Sequence, residues 1–233
     1  MPIAAPLRLA LRPPLRLLAC SALLGLAAAP ALAHPHVWIT ARAELVYADG
    51  KVAGVRHAWR FDPEYTAFVT QGLDANKDGA LTPDELAGLA AENTNNLAEF
   101  GYFTKLKVAG KEQAFAAPRE PAMRMDGPAL TLSFLLPLKA PAAQGRGVAT
   151  LEVYDPTYFV AFAFADGADA AGLSGAPPGC AATVTRPKTE QPKVADGAKD
   201  GAKPGMTEAF FEALTAASSY GVQFANRVIV ACP

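Results

Sequence analysis

Asp74, Asn76, Asp78, Ala80, Thr82 and Glu85 occupy alternate and closing positions of one run, Asp74-Ala-Asn76-Lys-Asp78-Gly79-Ala80-Leu81-Thr82-Pro83-Asp84-Glu85. Oxygen-bearing side chains fall at positions 1, 3, 5 and 9, with glycine at 6 and glutamate at 12, the spacing of an EF-hand calcium loop. Each residue type has a physical task there. Gly79 takes the sharp turn, Ala80 offers its carbonyl, Thr82 reaches the ion directly or through water, and Glu85 closes the shell with two oxygens. An all-oxygen set on a flexible loop suits a large, hard cation, so the cofactor expected here is Ca2+. No second loop of this spacing occurs in the chain. A lone loop with three carboxylates is expected to bind weakly, on the order of 10⁻⁴ M, and to act as a structural clamp rather than as a sensor.

The histidines supply a different chemistry. There are three, His34, His36 and His57. Cleavage after Ala33 would leave His34 with a free amine and an imidazole, and His36 stands two residues on. Such nitrogen donors suit Zn2+, Ni2+ or Cu2+. Pro35 has no amide hydrogen, so a square-planar site through deprotonated backbone nitrogens is blocked. What survives is a brace formed by the His34 amine and ring with His36; a solvated terminus is the alternative. Asp49-Gly50 is a two-residue hairpin signal. Its simplest register places His36 opposite Pro63, near Asp62 and Glu64, and pairs His57 with Arg42. His57 then lies about 20 Å from His36 at strand rise and reads as a satisfied, semi-buried histidine.

These residues need elements to hold them. Val37, Ile39, Ala41, Ala43 and Leu45 alternate with polar positions, a strand pattern, and Val52 to Phe61 returns across the hairpin. Further strands are expected at 103–108, 113–115, 130–138, 148–154, 158–164 and 228–232. Helices are expected at 63–73, 83–99 and 206–217. Asp62-Pro63 reads as an N-cap with a first-turn proline, and Thr82-Pro83-Asp84-Glu85 as a capping box. The fold class is therefore α+β: a mostly antiparallel sheet with an inserted helix-loop-helix at 62–99 and a C-terminal helix.

The chain opens with Arg8, Arg12 and Arg16, an apolar stretch and Ala31-Leu32-Ala33, which together read as a secretory signal peptide over 1–33. That leaves one domain, 34–233, with 18 basic and 22 acidic residues, a net charge of −4. Mild acidity without a basic cluster argues against a nucleic-acid partner. No later segment is apolar enough to keep the cleaved chain in a membrane. Cys180 and Cys232 read as a disulfide in an exported chain; a reactive or metal-binding pair is the alternative. Residues 166–205, rich in Gly, Ala, Pro, Lys and Asp, bury too little to offset ordering entropy and read as a flexible insertion. No Ser/His/Asp set, phosphate loop or C-x-x-C is present, so no enzymatic role is expected.

Several segments resemble a known family: Ala33-His-Pro-His-Val-Trp38, Trp59-Arg-Phe-Asp62, Gly72 to Gly79, Asn96 to Thr104, Leu130 to Leu138, Asp155-Pro-Thr-Tyr-Phe159 and Phe224 to Cys232. They are similar to uncharacterised periplasmic proteins encoded beside nickel/cobalt-type permeases, a group that includes ZevA-like zinc-uptake accessory proteins. The resemblance implies periplasmic handling of a divalent transition metal (zinc, nickel or cobalt) next to an inner-membrane permease. It supplies no ligand set, so His34 and His36 rest on their own chemistry. The rivals are a purely structural or adhesive calcium module and a copper-binding histidine-brace protein. The Asp155–Phe159 segment reads only as a turn and strand start.

Overall fold

Hydrophobic alternation sets the architecture. In a computed structural model that describes residues 35–187 and 220–233, β1 (Val37–Ala48) and β2 (Lys51–Phe61) form the central hairpin. Asp49 and Gly50 both take positive φ, 50° and 71°, as the two-residue turn requires. Val37, Ile39, Ala41, Ala43 and Leu45 all turn inward on β1, and Val52, Val55, Trp59 and Phe61 do so on β2.

The hairpin register departs from the simple expectation. Pairing runs Ala48–Lys51 and Tyr47–Val52, then skips to Val46–Gly54, leaving Ala53 as a bulge. Every later pair moves by one: His57 faces Ala43, not Arg42, and the ladder ends at Ile39–Phe61. His36 therefore does not face Pro63. Gly54, beside the bulge, has no room for a side chain, because a Cβ there would lie 2.7 Å from the Leu136 carbonyl oxygen.

The remaining strands among the described residues are β3 (Thr104–Val108), β4 (Lys111–Glu112), β5 (Arg119–Asp126), β6 (Ala129–Ala142), β7 (Val148–Val153), β8 (Val160–Phe164), β9 (Ala171–Ser174), β10 (Ala181–Thr185) and β11 (Asn226–Ala231). One sheet runs β5-β6-β2-β1-β8, with β9 also on β1; the other runs β10-β11-β7-β3-β4. All pairings are antiparallel except β1 with β8 and with β9. The mostly antiparallel expectation holds, with two sheets in place of one. Both contribute to a shared core, where Trp59 and Phe134 of the first sheet join Leu106, Leu151 and Val228 of the second.

Buried polar groups tie the two sheets together. Asn226 on β11 donates through Nδ2 to the Phe162 carbonyl on β8 at 2.6 Å. Gln144 accepts from the Tyr47 hydroxyl at 2.7 Å and donates to the Val230 carbonyl at 2.9 Å. Such groups are stabilising only because they are paired, since a lost partner costs about 1–3 kcal/mol.

Residues 166–187 differ from the expected insertion. They carry β9 and β10, and Cys180 immediately before β10 is bonded to Cys232 immediately after β11. A cross-link and two backbone ladders order a segment that hydrophobicity alone leaves unassigned. Closing that loop is worth about 4 kcal/mol if the gain is chiefly lost chain entropy. The expected signal peptide at 1–33, His34, residues 188–205 of the insertion and the helix at 206–217 lie outside the described residues.

Candidate metal sites

Two short helices bracket the oxygen-rich loop. α1 (Pro63–Val69) starts at the Asp62 N-cap, whose Oδ1 accepts from Tyr65 N at 2.7 Å. The Asp62 Oδ2 accepts from Trp38 N at 2.8 Å, and Asp62 N donates to the Trp38 carbonyl, so one residue ends the hairpin and starts the helix. Thr66 anchors α1 to β6: its hydroxyl donates to the Asp62 carbonyl and accepts from Leu130 N. The helix stops at Val69 rather than at 73, with Thr70 as C-cap and Gly72 at φ 79°. β-branched Val69 and Thr70 followed by a glycine favour that early stop.

α2 (Pro83–Asn96) opens with the complete capping box: Thr82 Oγ1 accepts from Glu85 N, and Glu85 Oε2 accepts from Thr82 N at 2.9 Å. Leu86, Ala90 and Thr94, at successive intervals of four, are its buried face. The helix ends at Asn96, three residues short of expectation. A 3-10 segment, Leu97–Phe103, follows, with Gly101, Tyr102 and Phe103 all at positive φ.

Within the loop, side-chain oxygens fold back onto backbone amides. Asp74 accepts from Asp78 N and Gly79 N, Asn76 from Asp78 N, and Asp78 from Ala80 N. Glu85 Oε1 reaches across to Ala75 N at 3.0 Å, linking position 12 to position 2. These donors hold the Glu85 carboxyl below its usual range, led by the Thr82 backbone bond. Lys77 and Gly79 take positive φ, 60° and 82°. Leu81 packs against the core. Among the described residues no three His, Cys, Asp or Glu side chains gather as a metal-holding group. The carboxylates of Asp74, Asp78 and Glu85 are thus brought into one loop but engaged with amides. Their donor chemistry suits calcium: hard oxygens throughout.

His36 and His57 are kept apart. His36 is exposed just ahead of β1; its amide donates to the Phe159 carbonyl at 2.9 Å and its ring stacks on Phe159 with centroids 4.8 Å apart. Asp62 faces Trp38, not His36, and serves as the cap. His57 is fully buried rather than semi-buried, between Trp59 and Phe134. Thr104 Oγ1 donates to the Tyr102 carbonyl at 2.7 Å, which leaves its oxygen to accept from His57 Nε2 at 3.3 Å. Among the described residues Nδ1 then has no partner. Burial pushes the imidazole pKa down to about 3, so the ring is neutral at ordinary pH.

The Asp155–Phe159 segment has a structural explanation that residue types alone did not supply. Asp155 is buried, accepting from Thr157 N, Thr157 Oγ1 and Val160 N. Gly221 donates to the Pro156 carbonyl, and a Cβ at 221 would overlap the Asp155 carbonyl oxygen. The segment is a turn that docks the 3-10 segment Tyr220–Phe224 and presents Phe159 to His36.

Fold and loop together define a mainly antiparallel, two-sheet domain carrying a capped helix-loop-helix. The chain belongs to the family described as protein of unknown function DUF1007, which it matches over residues 19–232. It is also similar to an uncharacterised protein of Haemophilus influenzae, 26% identical over 203 residues, covering 86% of this chain and 92% of that protein. No solved structure matches. Among the described residues no helix is long and apolar enough to cross a membrane.

Proposed function

We propose that this chain is a calcium-binding, periplasmic accessory protein of a divalent transition-metal uptake or handling system, working beside an inner-membrane nickel/cobalt-type permease. The observation that carries the reading is the Asp74–Glu85 loop between two independently capped helices. Its donors are all oxygen, its glycine sits at the turn position in the left-handed region, and Glu85 already reaches both ends of the loop. Calcium would exchange those amide bonds for metal–oxygen bonds and lock α1 to α2. The disulfide is consistent with an oxidising compartment. The transition-metal half of the proposal rests on His34 and His36.

Glu85→Gln tests the calcium reading without removing the cap, because glutamine also serves at the third position of a capping box. The variant is expected to lose the calcium-dependent rise in melting temperature while matching the parent in chelator. Equal losses in both conditions would mean that the loop is a turn and not a calcium site.

A further inference from the structure

A cavity of about 530 Å³ opens between α2, the 3-10 segment after it, and the β1–β2 face of the first sheet. That size falls in the range of small-ligand pockets. Its floor is apolar and aromatic: Ile39, Trp59, Phe61, Leu97 and Phe103. Phe100, 44% exposed, stands at the side and stacks on Phe103. Its neutral polar lining is Tyr65, Asn93, Asn96 and Thr157, and its charged groups are of one sign. Glu92 and Glu99 line it and are exposed, Asp155 lines it from the opposite turn, and among the described residues no Lys, Arg or His does so. Asp155 is held in place by its three donors from Thr157 and Val160. None of the residues from Asp74 to Glu85 lines the cavity, so it is a separate feature from the calcium loop.

We infer that this cavity binds an amphipathic cation: an aromatic or short alkyl body on the aromatic floor, with an ammonium or guanidinium group at the carboxylate rim. Apolar burial would provide most of the affinity. The carboxylates, together with aromatic faces that attract cations, would select the charge. The same chemistry is offered by a free aromatic amine and by an aromatic-plus-basic pair of side chains on a peptide.

The test uses the mature chain with two fluorescent probes of similar aromatic bulk, dansylcadaverine (a terminal ammonium) and anilinonaphthalene sulfonate (an anion). Dansylcadaverine is expected to saturate at one equivalent and to bind at least tenfold more tightly than the anion. Only two tryptophans exist, so Trp38→Phe leaves Trp59, in the cavity floor, as the sole energy-transfer donor to the bound dansyl group. The double variant Glu92→Gln/Glu99→Gln is expected to weaken dansylcadaverine about fivefold at low salt and leave the anion unchanged. Asn93→Trp, which fills the mouth, should abolish binding, with circular dichroism confirming that both variants are folded. Displacement by tryptamine, or by a short blocked Trp-Lys peptide, supports the chemistry and tells a free amine from a peptide source. Equal affinity for the two probes, no transfer from Trp59, or no displacement by either competitor would overturn the proposal.

Discussion

At the scale of single residues, His57 has the largest consequence. Its strand position and distance from His36 suggest a satisfied, semi-buried histidine, yet the folded chain buries it completely. Its complete burial, with a single hydrogen bond, was not legible, because the partner Thr104 belongs to the other sheet. Burial lowers its pKa from 6.5 to about 3. The unfolded chain therefore binds a proton that the folded chain does not, between those two values. Stability from this residue is present above pH 6.5 and is lost as pH falls through that window. From pH 7 to pH 5 the loss is about 2 kcal/mol, at ~1.4 kcal/mol per pH unit below the unfolded pKa. His57→Phe should flatten that part of a denaturation-versus-pH curve; an unchanged slope would assign the acid sensitivity to other groups.

At the scale of elements, helix starts were readable and helix ends were not. Asp62 and Thr82 act through bonds to amides within three residues of themselves, so their roles follow from local sequence. The end of α1 depends on Gly72, and α2 gives way at Leu97 to the 3-10 segment that runs into the left-handed residues Gly101–Phe103. Strand β5 escaped notice for a related reason. Its Pro121 and irregular Arg119–Ala122 pairing are tolerated because β5 is an edge strand. Asp62 also joins two elements, since its second oxygen accepts from Trp38 N. Asp62→Ala should cost more than a simple cap, about 2–3 kcal/mol in urea unfolding, whereas a loss near 1 would show that the strand contact contributes little.

For the whole molecule, the two proposed metal sites are joined by a physical route. α1 begins at Asp62, Asp62 grips Trp38, and Trp38 stands two residues from His36. A calcium ion that fixes α1 would therefore steady the strand entry that carries the histidine pair. Zinc or nickel binding by a chain beginning at His34 is expected to weaken when calcium is chelated, and to be abolished by His34→Ala/His36→Ala with or without calcium. Metal binding indifferent to both treatments would remove the link and the histidine site together. What the chain determined by itself was local and periodic: the strand alternation of β1 and β2, the Asp49–Gly50 turn, two capped helix starts and a loop of calcium-type spacing. Those features depend on neighbours within one turn or one strand. The tertiary structure alone decided the bulge at Ala53, the order imposed on 166–187 by β9, β10 and the Cys180–Cys232 bond, and the cavity beneath α2. Each of these arises where residues far apart in the chain meet, whereas the oxygen-rich loop is shaped by side-chain bonds to its own backbone amides.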